Sequence, residues 1–177
     1  MISFEKYGMI FRSVMIEDAD FILSLRTDAH LSRFLSETIP NLELQKEWIQ
    51  SYQKREREGK EYYFIATTPS EERLGLNRIY NITTDSFEIG SWLYKQGLKT
   101  YTPILGDLTV RSFAFELLNS KYCIFEVRKQ NQSVINYHRR FNPEITGEDE
   151  LNYYFKLSKE NFYNYKEKLL KAIKYGN

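Results

Sequence analysis

The chain has little of several things. It has one cysteine, Cys123, two histidines, His30 and His138, and no excess of charge of either sign. A lone cysteine excludes an internal disulfide framework and any cysteine-rich zinc site, and it suits a reducing, cytoplasmic setting. His30 has no ligand partners at metal spacing, so no metal is expected. With 25 Lys and Arg against 24 Asp and Glu, the formal net charge is +1. That is not the basic stripe of a protein that works on phosphate backbones, so nucleic acid is not an expected partner. Four prolines and eight glycines are scattered over 177 residues, leaving no linker, low-complexity tract or repeat. No apolar run approaches the roughly 18 residues of a spanning helix. Glu5, Lys6 and Arg12 break up the opening segment where a leader would be apolar. The expected molecule is one domain, 1–177, with no membrane association.

What the chain has is a 42% hydrophobic, 28% charged composition with 14 Tyr and 12 Phe, enough to fill the core of a globular protein. Its periodicity alternates between strand and helix, which predicts a mixed α/β domain. MIFRSV (9–14) reads as a strand and EDADFILSLRTD (17–28) as a helix with an acidic first turn. After Pro40, Leu44, Trp48 and Tyr52 recur every four residues in an amphipathic helix that ends near Gly59. Residues 61–68, 73–82 and 86–94 read as three strands of an antiparallel meander. The loop 95–102 leads to a helix that Pro103 opens, with apolar residues on several faces. YCIFEV (122–127) reads as a strand buried on both sides, followed by a helix capped by Asn131 and ending before Pro143. PEITGEDELNYYFKL reads as two short strands around a turn at Gly147, Glu148 and Asp149, and Ser158 caps a last helix with Phe162, Tyr165, Leu169 and Ile173 as its buried stripe. The order is β-α-α-β-β-β-α-β-α-β-β with an extra helix.

That order and three local strings resemble the GNAT superfamily of acyl-CoA-dependent N-acetyltransferases over residues 9–157. FRSVMIEDADFILSLRTD is similar to its opening strand and first helix, FEIGSWLY with FAFELL to its cofactor-binding strand-loop-helix, and FEVRKQNQSVINYHRRF to its later strand and helix. The resemblance implies a GNAT-like α/β (α+β) fold: a central mixed, mostly antiparallel sheet flanked by helices, here with a C-terminal helix at about 158–175. Within the superfamily, YHRRF and RFNPEITGEDELNYYF look most like acetyltransferases that acetylate nucleotide-linked deoxyamino sugars in surface-polysaccharide synthesis. Acetyl-CoA is the implied co-substrate. Its pyrophosphate loop is normally glycine-rich, and the stretch that corresponds here, Leu98 to Pro103, has no glycine. Tyr101 adds bulk there and Pro103 has no N–H, so Lys99, Thr100 and Thr102 are left to meet the phosphates.

Acetyl transfer to an amine needs an unprotonated nucleophile, an oxyanion donor and help for the leaving thiolate. Glu88 is the candidate base, with Tyr80, Trp92 and Tyr94 as the surroundings that would raise its pKa; otherwise it is a solvated strand carboxylate. His138 occupies the place of the family's thiolate-protonating tyrosine and would act as an imidazolium, with Tyr137 as the alternative acid. Its bland reading is an exposed ring beside Arg139 and Arg140. Backbone groups of Trp92, Leu93 and Tyr94, freed by a bulge, would hold the pantetheine arm together with Asn131 and Ser133. Arg26, Asn77, Arg78 and Tyr80 are candidates for the acceptor, since arginine forks suit phosphates. The alternative for them is surface pairing with acids such as Asp28. Arg128, Lys129, Arg139 and Arg140 form a local basic cluster that would meet the CoA 3′-phosphate or be solvated. Cys123 reads as a small buried side chain. The readings carried forward are an amino-sugar N-acetyltransferase, a protein N-terminal acetyltransferase with an acidic groove, and a non-catalytic GNAT-fold module. The acceptor is a small-molecule amine in the first, and a homodimer is compatible with an exposed sheet edge.

Overall fold

Tyr7 and Gly8 both adopt left-handed backbone, φ 54° and 70°. This two-residue turn folds Ser3–Lys6 (β1) back on Met9–Ser13 (β2), with Lys6 opposite Met9. No strand is expected before Met9 from sequence, because β1 is only four residues long and has one apolar side chain, Phe4. The computed structural model describes residues 1–173. Residues 174 and 175, expected in the last helix, lie outside that range.

After β2 a single 3-10 turn (Ile16–Asp18) leads into α1 (Ala19–Thr27), and the Arg12 guanidinium forks onto Asp18 at 2.7 and 2.8 Å. A loop then reaches α2 (Leu42–Arg57), whose first turn is capped by the Asn41 side chain accepting from the Glu43 and Leu44 amides. Strands β3 (Tyr62–Thr67), β4 (Arg73–Tyr80) and β5 (Ser86–Tyr94) form the expected antiparallel meander. Then follow α3 (Thr102–Leu117), β6 (Tyr122–Arg128), α4 (Gln132–Arg139), β7 (Glu144–Glu148), β8 (Asn152–Ser158) and α5 (Lys159–Ile173). Ser158 does cap α5, accepting from the Asn161 amide at 3.1 Å. All eight strands lie in one sheet, ordered β1-β2-β3-β4-β5-β6-β8-β7, antiparallel except between β5 and β6. This is the mixed, mostly antiparallel sheet that the resemblance implies.

The sheet separates two cores. On the front, Phe21, Ile22 and Leu25 of α1 and Ile49 and Tyr52 of α2 pack on Tyr63, Ile65, Leu76 and Leu93. On the back, α3, α4 and α5 cover Phe64, Ile79, Phe87, Phe125 and Phe155. Helix α3 is buried without a break from Leu105 to Ser112, in accord with apolar residues on several of its faces. The α2 stripe departs from expectation at its first member. Leu44 is 47% exposed, while Tyr52 and Ile49 are fully buried.

The site is created where β5 and β6 part. Parallel strands need matched direction to keep a ladder, and here the pairing runs only from Ser86–Tyr122 to Glu88–Ile124. Beyond Glu88, β5 follows β4 alone. A bulge lies between Gly90, opposite Arg78, and Leu93, opposite Leu76, so two residues of β5 face Asn77. Ser91 takes φ 47° to make it. Because side chains alternate along a strand, the extra residue reverses which face each later residue occupies. Glu88 faces front, and so does Leu93, whereas Trp92 and Tyr94 face back.

Candidate active site

On the front of the sheet, Tyr80 donates to Glu88 Oε1 at 2.5 Å and the Asn81 amide donates to Oε2 at 2.7 Å. Burial first, then this carboxylate, raises the pKa of the Tyr80 phenol. Next to them Arg78 pairs with Glu61 at 2.5 Å and lies over the rings of Trp48 and Tyr80. Glu61 is 3% exposed and also holds Arg55 at 2.6 Å, so its buried carboxylate fixes two guanidiniums. Arg26 donates to Thr38 Oγ1 at 2.9 Å. Asp28 instead accepts from the amides of His30 and Leu31, and His30 is exposed.

Arg26 and Arg78 share two cavities. One, of about 330 Å³, reaches Trp48, Glu37 and Leu44; the other, of about 240 Å³, reaches Tyr80, Glu126 and Arg128. Both touch Ser91 at the bulge. Three of the four expected acceptor residues therefore do converge: Arg26, Arg78 and Tyr80. Asn77 does not. It stands between residues that face front and so points back, is fully buried, and accepts from the Tyr94 hydroxyl at 2.8 Å. Adjacent strand residues cannot serve one pocket, and Asn77 is a core residue.

A slot of about 160 Å³ passes through the gap between β5 and β6. Its front lip is made by Phe34 and Leu35 of the loop before α2, and its back wall by Asp107, Arg111 and His138. Trp92, Leu93 and Asn131 line it as well. The Trp92 indole donates to the Pro103 carbonyl at 2.8 Å, which ties the bulged strand to the first turn of α3. Tyr94 is buried in the back core, so only its backbone is available to a ligand. At the start of α3 the Thr102 amide is spent on the Lys99 carbonyl, 2.8 Å away, and Pro103 falls in the first helical turn. Lys99 and Thr100 are exposed, and the Lys99 ammonium lies 5.8 Å from the Tyr101 ring centre.

Several expectations on and around α4 are corrected. Asn131 is the residue before the helix, but its side chain does not cap; its carbonyl oxygen accepts from Ser133 instead. Ser133 is exposed and does not line the slot. Tyr137 and His138 are both buried, so the reading of His138 as an exposed ring beside Arg139 and Arg140 does not hold. The Tyr137 hydroxyl is bonded to Asp107 at 2.7 Å, and burial followed by that carboxylate pushes its pKa well up. Burial and then the Arg111 charge push His138 well below the usual imidazole range, so the ring is neutral at neutral pH and is not the expected imidazolium. Nor does His138 face Glu88. Glu88 shares the front face with its neighbour Ile124, while His138 packs on the ring of Phe125, at 4.4 Å, on the back. Only the gap between the strands connects them. The basic cluster is dispersed as well, with Lys129 paired to Glu148, Arg139 and Arg140 exposed, and Arg128 in the front cavity.

The residues that sequence reading missed are Asp107 and Arg111. Arg111 is 1% exposed, and burial opposes its charge, yet Asp107 above all keeps it protonated. The signal was present as an acid and a base four apart in the most apolar helix, a spacing that ordinarily marks a solvated salt bridge. Cys123 is as expected, a buried thiol pushed up to about 12 by burial. Among the described residues no group of three potential ligands could hold a metal, and no helix is long and apolar enough to cross a membrane.

No curated protein matches the chain. Among solved structures, FdhC, described as a nucleotide-linked sugar GNAT, is 29% identical, covers 98% of both chains and superposes with a TM-score of 0.83. The N-acetyltransferase PseH of Campylobacter jejuni is 22% identical over 86% of this chain and 99% of its own, TM-score 0.66. A Vibrio cholerae spermidine N-acetyltransferase, solved with CoA and spermine, is 16% identical over 90% and 100%, TM-score 0.74. The last two share the fold. The sequence pattern of the acetyltransferase (GNAT) domain matches residues 9–142, which takes in the bulged strand, the slot and α4. A sheet splayed between its one parallel pair, together with that match, makes this chain a member of the GNAT acetyltransferase family.

Proposed function

We propose that the protein transfers an acetyl group from acetyl-CoA to the amine of a nucleotide-linked deoxyamino sugar. The observation that carries this reading is the pair of front cavities built on Arg26, Arg78 and Arg128 where the strands part. Guanidinium forks match phosphate oxygens, and one partner is already aimed, because Glu61 fixes Arg78 while Trp48 and Tyr80 pack its plane. A peptide amine would call for a groove of carboxylates. The two present, Glu37 and Glu126, each share their cavity with arginines. The likeness to FdhC over nearly the full length of both chains supports the same acceptor class.

In this reading the exposed edge of β5 from Ile89 to Leu93 pairs with the pantetheine amides as an added strand would. Asn131 adds a contact from the slot wall, and Lys99 with the hydroxyls of Thr100 and Thr102 meets the phosphates next to Tyr101. Glu88 takes the amine proton directly or through Tyr80, whose hydroxyl it already holds.

Calorimetry with acetyl-CoA comes first, then an acceptor panel of nucleotide-linked amino sugars, polyamines and N-terminal peptides. Micromolar binding, about −8 kcal/mol, is expected, with turnover confined to the sugars. Glu88→Gln should lower kcat by about 10²–10⁴-fold with little change in acetyl-CoA affinity. Folded protein that binds no acetyl-CoA would leave a GNAT-fold binding module; turnover of peptides alone would transfer the assignment to protein N-termini.

A further inference from the structure

Among the described residues Arg111 is the largest fully buried side chain, and every arm of its guanidinium is occupied. Nε donates to both Asp107 oxygens at 2.8 and 3.0 Å, Nη1 reaches Cys123 Sγ at 3.3 Å, and Nη2 lies 3.4 Å from His138 Nδ1. The plane stacks on Phe125, 4.6 Å from its centre. Asp107 is held in turn by the Tyr137 hydroxyl. A buried ion pair of this kind contributes little net stability, since desolvation offsets most of its attraction, and an apolar pair would often do as well. Its placement at the back wall of the slot calls for another reason.

A guanidinium has only donors. The nitrogen it meets must therefore be an acceptor, which leaves His138 Nδ1 without a proton. The groups that face the imidazole are Arg111 from α3, Trp92 from β5, Phe125 from β6 and its neighbour Tyr137. Among these the one charge is positive, and it disfavours a second proton on the ring. A neutral ring with a bare Nδ1 carries its single proton on Nε2.

We propose that Arg111, anchored by Asp107, is a positioning residue that fixes His138 as its neutral Nε2–H tautomer, so that His138 serves acetyl transfer as a hydrogen-bond donor to the departing sulfur and keeps its own proton. The tautomer stands on the geometry alone; its use rests on the acetyltransferase reading. In the step, the amine lone pair forms the N–C bond to the thioester carbon and the C–S bond breaks with its pair on sulfur. The thiolate is stabilised by Nε2–H, the amine gives its proton to Glu88 on the front face, and the thiolate is protonated from solvent after release. A neutral imidazole can act in this electrophilic way because it offers a donor without a pKa matched to the leaving group.

The test is a long-range proton–nitrogen correlation spectrum of the whole protein labelled with ¹⁵N-histidine, with the two rings assigned by a His30→Gln variant. The two neutral tautomers and the imidazolium give three different patterns. His138 should show the Nε2–H pattern from about pH 8 down to about pH 5.5, a range in which an ordinary imidazole becomes charged. An Nδ1–H or imidazolium pattern at neutral pH overturns the assignment. The double variant Asp107→Asn/Arg111→Met removes the pair without stranding a charge, and in it the ring should populate both tautomers. A spectrum identical to wild type would remove Arg111 from the argument. For the donor role, His138→Gln keeps an N–H and should retain about ten-fold more kcat than His138→Leu at similar KM; equal losses exclude donation. The spectrum needs no acceptor, so a failed acceptor screen sinks the acetyltransferase reading while the tautomer is judged independently.

Discussion

At the scale of single residues, Tyr94 governs more of the structure than its place in a strand suggests. Its ring lies between two glycines. A Cβ at Gly106 would sit 1.8 Å from the Tyr94 hydroxyl, and one at Gly75 would sit 2.4 Å from the ring. Alanine in place of glycine inside a helix ordinarily stabilises by about 1 kcal/mol. Here the sign should reverse, because overpacking a tight core costs about 1–3 kcal/mol and neither neighbour is the end of a flexible chain. Gly106→Ala should therefore lower the urea midpoint, and Tyr94→Phe in the same chain should restore only part of it, since the ring carbon at 2.5 Å remains. A gain in midpoint for the single variant would mean that α3 can move away from the sheet. Sequence made Tyr94 a cofactor contact. It could not show the two glycines meeting it, because Gly75, Tyr94 and Gly106 come from three separate elements. Asn77 leaves the acceptor set for a related reason: it adjoins Arg78 on one strand, and neighbouring strand residues face opposite sides of the sheet.

At the scale of elements, most of what can be read comes from periodicity; the short β1 escapes it, and the pairing alone fixes where β5 is interrupted. The order of twelve of the strands and helices, the antiparallel meander and the capped last helix follow from apolar spacing that each segment carries within itself. A bulge near Trp92 to Tyr94 is what the resemblance implies, but its position carries no such mark. FEIGSWLY alternates acceptably without one, and only the pairing with β4 reveals that Ser91 is extra. Its left-handed backbone should be the hinge of the site. Ser91→Gly should fold with a stability within about 0.5 kcal/mol of wild type, as glycine adopts positive φ at no steric cost. Ser91→Val should lose about 1–2 kcal/mol in urea denaturation, because a β-branched residue is strained there. It should also weaken acetyl-CoA binding in calorimetry, as relief of the strain would straighten β5 toward β6 and close the slot. Equal stability of the two variants would show that the bulge does not depend on the Ser91 conformation.

At the scale of the whole molecule, the sheet divides the chemistry between two faces that communicate through one gap. Base and phosphate-seeking arginines stand in front, and a neutral histidine on a buried ion pair stands behind. This division has a thermodynamic consequence. In the unfolded chain the His138 ring accepts a proton below about pH 6.5, but in the folded protein burial and Arg111 prevent it. The unfolded state therefore binds more protons as pH falls, and the stability due to the neutral ring, fully present above that pH, declines by up to about 1.4 kcal/mol per pH unit below it. Asp20, lowered by its bond to Arg73, and Asp149, lowered by its bond to Tyr154, lose their contributions only near or below their ordinary value of 3.8. Lys166, lowered by burial, acts at the alkaline end. In the interval from about pH 6.5 to about pH 4.5 the depressed His138 ring supplies a slope, and His30 is shared by any His138 variant. Urea midpoints taken across this interval should fall steadily for wild type and remain nearly level for His138→Gln. Parallel slopes for the two would show that the folded protein admits the second proton, and the same result would remove the physical basis for a histidine that donates a hydrogen bond without giving up its proton.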